Sequence, residues 1–169
     1  AQFSAERVDI DPALLAHLLT PPSELELGAR HAPFDPDAVH AAREALENAL
    51  AQRLGNALLD AYRELHADES GDLAQTAAGK RRLKARVLPL LLRFDVAHGA
   101  ELAFAQFDSA KGMTDRLSAL SVLLRADAPQ ASLAVRGFRE RFDGDALTLD
   151  KWFTLNATLP AHATLDRVQ

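Results

Sequence analysis

The chain contains no cysteine. Neither a disulfide framework nor a thiolate metal site can form, and the fold is indifferent to redox compartment. Aromatic residues make up only 6%, with a single Trp and a single Tyr, so packing must rest on Leu, Ala and Val. The eight glycines stand apart from one another, which excludes a Gly-rich loop of the kind that cradles phosphate. No apolar run approaches the roughly 18 residues of a membrane span. The first ten residues, AQFSAERVDI, lack a signal-peptide core. Together these two absences point to a cytoplasmic chain without a membrane partner. A basic excess is missing as well: the net charge is −5, which argues against a dedicated nucleic-acid binder.

What is present is a chain of 169 residues, 48% hydrophobic and 25% charged, suited to one globular domain with a sizeable core. Residues 1–169 read as a single helical domain. Residues 1–34 are its least regular part. There Asp11-Pro12 opens a short helix to about Leu19, stopped by Pro21-Pro22, and Ser23 caps a second, SELELGA. Asp35-Pro36 opens the longest helix, to about His66, with Val39, Leu46, Leu50, Leu54, Leu58, Tyr62 and Leu65 as its apolar stripe. Arg43 and Glu47 form an i, i+4 pair on its outer face, and Gly55 is a candidate bend. After a loop at Asp68–Asp72, a helix from about Leu73 to Phe94 buries Leu83, Val87, Leu90, Leu91 and Phe94. Pro89 should kink or split it near Arg86.

From Asp95 the segments shorten. Helices near 97–108, 114–125, 128–141, 145–157 and from 161 onward begin about sixteen residues apart, the size of half an αα-repeat. No segment alternates apolar and polar residues as a strand would. The expectation is all-α: stacked antiparallel helix pairs in an α-solenoid of the HEAT or armadillo kind. The start without Met, and the stop inside what reads as a continuing helix, TLDRVQ, predict an excised part of a longer polypeptide.

Candidate chemistry is sparse. His17, His31, His40, His66, His98 and His162 form no His-Glu-x-x-His pattern, and no two share an i, i+4 helix face, which a helical zinc site requires. Ser118, Ser121 and Ser132 lie in helical pattern without a Gly-x-Ser-x-Gly elbow. The run Lys80, Arg81, Arg82, Lys84, Arg86 reads as a solvated face, with contact to phosphate or an acidic partner as the functional alternative. Asp143-Gly144-Asp145 with Asp150 lacks the spacing of a calcium loop; a helix stop at Gly144 and an N-cap by Asp145 explain it. Trp152-Phe153 reads as a packing anchor. The stretch KGMTDRLSALSVLL (Lys111–Leu124) reads as an amphipathic helix whose first turn Thr114 or Asp115 can cap. No catalytic, cofactor-binding or metal-ligating residue is assigned.

Two strings are more specific. GMTDRLSAL (Gly112–Leu120) and LDKWFTLNAT (Leu149–Thr158) resemble hallmark stretches of the C-terminal helical domain of the bacterial aminopeptidase N family. DPDAVHAAREAL (Asp35–Leu46), KRRLKARVLPLLL (Lys80–Leu92) and FRERFDGDALTLDKWF (Phe138–Phe153) fall in the family's order, so the resemblance runs from about Phe3 to Val168. Val87, Leu88, Pro89, Phe138, Phe142 and Asn156 depart from the family pattern as packing or surface exchanges. The resemblance implies a piece of a zinc metallo-aminopeptidase that removes N-terminal residues from peptides. Its zinc-binding and amine-binding motifs are absent here and would lie in an upstream catalytic domain, the implied partner, together with peptide substrates. The implied role is a non-catalytic stack of helices that closes over the active site and limits peptide access, without zinc or activity of its own. A free-standing α-solenoid that binds a protein or peptide is the alternative, and a nucleic-acid binder using Lys80–Arg86 a third.

Overall fold

A computed structural model describes residues 10–30, 32–67 and 75–158. The expected loop at Asp68–Asp72, the start at Leu73, His31, His162 and the helix from 161 onward lie outside the described residues. Eight helices and no strand occur among the described residues: α1 (Pro12–Leu18), α2 (Glu24–Gly28), α3 (Pro36–Ala67), α4 (Gln75–Phe94), α5 (Val96–Ser109), α6 (Met113–Arg125), α7 (Ala131–Arg141) and α8 (Ala146–Thr158). From α3 onward, consecutive helices pack on one another: α3 on α4, α4 on α5, α5 on α6, α6 on α7 and α7 on α8. This nearest-neighbour order is that of a helical-repeat array. Added to it are α1 against α4, α2 against α3, and a central contact between α4 and α6.

Local chemistry explains most of the boundaries. Asp11 accepts from the Ala13 N–H at 2.7 Å, with Pro12 at the first helical position. Ser23 and Glu26 form a reciprocal capping box. Asp35, Asp95 and Asp145 accept from the backbone N–H groups of Ala38, His98 and Thr148. Gly144, at φ 92°, supplies the left-handed turn before α8. Helix α7 starts at Ala131 rather than 128, because Asp127 at φ 46° breaks the chain and the Ala131 N–H closes a turn on the Ala128 carbonyl.

Several expectations need correction. Pro89 does not split α4, which runs unbroken from Gln75 to Phe94. Val87, Leu88, Leu90 and Leu91, all 3% exposed or less, are locked in the core around it. Their burial outweighs the roughly 3 kcal/mol that an interior proline costs. The buried stripe of α3 is Val39, Glu47, Ala51, Gly55, Leu58 and Tyr62, whereas Leu46 stands 45% exposed. The seam follows small residues because the backbones approach closely there. A Cβ built at Gly55 would collide with the Phe94 ring, so Gly55 makes room for α4. Gly55 faces Phe94 at the C-terminal end of α4, while Tyr62, further along α3, faces Lys84 nearer its start; the two helices therefore run antiparallel. Gly99 does the same service for α5: a Cβ there would lie 2.5 Å from the Leu92 Cα and 2.7 Å from its N.

Helix α6 is embedded on several sides rather than one. Ala119, Leu120, Val122, Leu123 and Leu124 are all fully buried, and α4, α5, α7 and α8 all pack on it. Neither Thr114 nor Asp115 caps it: Gly112 is the N-cap residue and makes no side-chain cap bond.

Candidate functional site

Two of the buried charges, Lys84 and Asp115, meet where α3, α4, α5 and α6 come together. Lys84, 1% exposed, sends its Nζ to within 3.7 Å of an Asp115 carboxylate oxygen, and Asp115 is itself 5% exposed. The same ammonium lies 5.9 Å from the centroid of the Tyr62 ring, within cation–π range. The Tyr62 hydroxyl donates to Gln106 Oε1 at 3.0 Å. Gln106 Nε2 donates to the Asp115 carbonyl at 2.8 Å and to Ser118 Oγ at 3.0 Å, and Ser118 Oγ donates to that same carbonyl at 3.0 Å. The Gln106 amide is thus satisfied at both ends, which fixes its orientation. Each of the four helices contributes at least one polar side chain to this network, so it sets their mutual register.

A second cluster binds the N-terminal layer to the array. Arg86 donates through Nε and Nη2 to the Leu19 carbonyl at 2.9 and 2.7 Å, and through Nη2 to Glu47 at 2.7 Å. Arg43 approaches the other Glu47 oxygen at 3.5 Å and donates to the Pro22 carbonyl at 3.2 Å. Glu47, 3% exposed, is therefore an inward anchor and not part of an outer-face pair. Nearby, Arg93 grips Glu44 with two parallel bonds of 2.8 Å, and this holds the Glu44 carboxyl below the usual range. On the surface, His40 Nδ1 meets Glu24 at 2.7 Å, and that bond raises the imidazole pKa.

The signature strings contribute packing. Arg116 donates to the Ala110 carbonyl and lies 5.7 Å from the Phe107 ring; burial pushes its guanidinium pKa down, and Arg141 adds to the shift. Trp152 donates from Nε1 to the Val135 carbonyl at 3.1 Å and fastens α8 to α7. Its neighbour Phe153 is 60% exposed, so only one member of the pair is an anchor. Asn156 donates to the Trp152 carbonyl within α8, and Asp145 caps that helix through Thr148, as its sequence context predicts.

The basic run Lys80–Arg86 is not the solvated face expected of it. Lys84 and Arg86 turn inward to the carboxylates of Asp115 and Glu47, which offset the cost of taking these cations out of water. The described histidines stay apart: His40 on Glu24, His66 stacked on Tyr62 at 5.8 Å, His98 3.5 Å from Glu101, and His17 exposed on α1. Among the described residues, no three His, Asp or Glu side chains come together as a set that could hold a metal ion. A groove of about 360 Å³ is lined by Arg136, Arg139, Glu140 and Asp143, two cations against two carboxylates, with no nucleophile among them. No helix of the described residues is long and apolar enough to cross a membrane.

A family profile described as a domain of unknown function of ARM repeats (DUF3458_C) matches residues 4–169. The chain belongs to this ARM-repeat family. It is 37% identical over 161 residues to aminopeptidase N of Escherichia coli K12, and 30% identical over 158 residues to aminopeptidase N of Caulobacter vibrioides. These alignments cover 95% and 94% of this chain but 18% of each relative. A crystal structure of Legionella pneumophila aminopeptidase A in complex with aspartic acid superposes with a TM-score of 0.80 at 26% identity, over 94% of this chain and 20% of that one. The chain thus spans about a fifth of the length of the proteins it matches, and the part it matches is an all-helical array.

Proposed function

We propose that this chain is the non-catalytic helical domain of a longer zinc-dependent aminopeptidase, and that it closes over that enzyme's active site and limits access to short peptides. One observation carries the reading: the chain aligns almost end to end with aminopeptidase N proteins while amounting to a fifth of their length. The inventory of polar groups supports it. The buried charged side chains Glu47, Lys84, Asp115 and Arg116 are each spent on a protein partner that sets helix geometry. The residues present do not fit a zinc site either, since the described histidines stay apart: His17 on α1, His98 on α5, and His40 and His66 near opposite ends of α3 against different partners. Zinc and the peptide-cleaving groups accordingly belong to the rest of the polypeptide, and no catalytic step is assigned to any residue here.

The experiment is to express the longer reading frame and assay peptides of increasing length against a folded protein carrying the same N-terminal residue. The reading expects chelator-sensitive release of N-terminal residues from short peptides and none from the folded protein. A reading frame without peptidase activity, or one that trims folded proteins as fast as tetrapeptides, would overturn it.

A further inference from the structure

Exposed apolar surface is unevenly distributed. Of the large hydrophobic side chains that stand exposed, Ile10, Leu14, Leu18, Leu25, Phe34 and Leu46 all fall within the first third of the sequence. Helix α1, PALLAHL, is apolar nearly all round. Its inner side is fully used: Ala16 is 1% exposed, and Ala13 sits so close to α4 that a Cβ on Gly79 would lie 3.2 Å from its backbone N. Its outer side carries Leu14 and Leu18, four residues apart and 49% and 67% exposed. Helix α2 repeats the arrangement, with Gly28 buried and Leu25 82% exposed. A helix that is apolar on both sides belongs between two layers, and among the described residues one layer is present.

The charge in this part of the sequence is mostly acidic. Residues 10–40 carry Asp11, Glu24, Glu26, Asp35 and Asp37 against the single fixed cation Arg30. Five arginines and no lysine stand against fourteen carboxylates over residues 1–72, whereas fourteen cations stand against ten carboxylates over 73–169. Apolar anchors inside a charged rim are the anatomy of a protein–protein interface. Since the relatives are about five times longer than this chain, the polypeptide itself supplies a partner at high effective concentration.

We propose that the outward face of α1 and α2, centred on Leu14, Leu18 and Leu25, docks an apolar surface rimmed with Lys and Arg elsewhere in the same longer polypeptide. This rests on the reading above only in requiring that longer polypeptide, not in its activity. The test is hydroxyl-radical footprinting of the 169-residue chain and of the longer polypeptide. Labelling of Leu14, Leu18 and Leu25 should fall on the order of fivefold in the longer polypeptide, while Leu133 on α7 keeps its labelling. Introducing Leu18→Glu together with Leu25→Glu should restore labelling of Leu14 in the longer polypeptide and leave the melting temperature of the short chain unchanged. Equal labelling in both forms would overturn the proposal. So would protection already present in the short chain and rising with its concentration, which marks a second copy as the occupant, or protection confined to Leu133, Leu147 and Phe153. Loss of peptidase activity with the footprint intact would sink the functional reading and leave this one standing.

Discussion

The Lys84–Asp115 pair at the α4–α6 junction and the Glu24–His40 pair between α2 and α3 make an instructive contrast. The junction pair is the longer, 3.7 Å against 2.7 Å. Its side chains are 2% and 6% exposed, against 63% and 48% for His40 and Glu24. Distance alone would rank the surface pair first, but solvent reverses the order. Water screens the exposed contact and re-solvates either partner when it breaks, whereas a buried charge deprived of its counter-ion has nowhere to go. The α4–α6 centre is held by groups that must be paired or closely packed, whereas the outer contact of α2 with α3 rests on a cap and a surface pair that can be lost singly.

Breaking the junction should give the largest effect. Asp115→Ala removes the carboxylate that faces buried Lys84 and should cost about 3–5 kcal/mol in urea unfolding. Replacing both, Lys84→Met with Asp115→Leu, should recover much of that loss, because two apolar side chains need no counter-charge. An Asp115→Ala variant within about 1 kcal/mol of the parent chain would show the junction to be no tighter than the surface. Gly99→Ala comes next, at about 1–3 kcal/mol, since its Cβ meets the Leu92 backbone, which cannot swing aside. Gly137→Ala, in α7 with open space around its Cβ, should instead stabilise by about 0.4–1 kcal/mol. Matching signs for the two glycines would undo the contrast between centre and periphery. Removing the α8 cap with Asp145→Ala should lower thermal stability by about 1 kcal/mol.

The smallest effects are in pH dependence, and the two surface pairs differ in sign. Glu44 has its pKa lowered in the folded state by Arg93. Its contribution is therefore present above the unfolded glutamate value, about 4.3, and is lost as pH falls through the folded one. Glu44→Gln should flatten that acid limb by less than about 1 kcal/mol, given its partial exposure. His40 has its pKa raised by Glu24. Its contribution is complete below the unfolded histidine value, about 6.5, and disappears as pH rises through the folded one. A His40→Gln variant should lose only that alkaline decline, read as urea midpoints between neutral and mildly alkaline buffers.

The helix order was legible because it is written locally. Asp11-Pro12, Ser23 with Glu26, Asp95, and Gly144 followed by Asp145 place caps and stops within a few residues of the ends they define. The junction was not legible, since Lys84 and Asp115 lie on different helices and nothing near either distinguishes a buried charge from a solvated one. Periodicity also favoured Leu46 over Ala51 and Gly55 on α3, because it counts large apolar side chains, whereas this seam is built where small residues let the backbones meet. The site fared differently from the fold. The strings GMTDRLSAL and LDKWF identify the domain, yet Asp115, Arg116 and Trp152 within them serve packing.

The central claim is that this chain is scaffold and that its chemistry lies elsewhere in the polypeptide. The most direct measurement is to incubate the purified chain with zinc, remove the excess, measure bound metal, and assay release from an alanine anilide. The account predicts no stoichiometric zinc and no turnover above the blank. Stoichiometric zinc with saturable, chelator-sensitive release would contradict it.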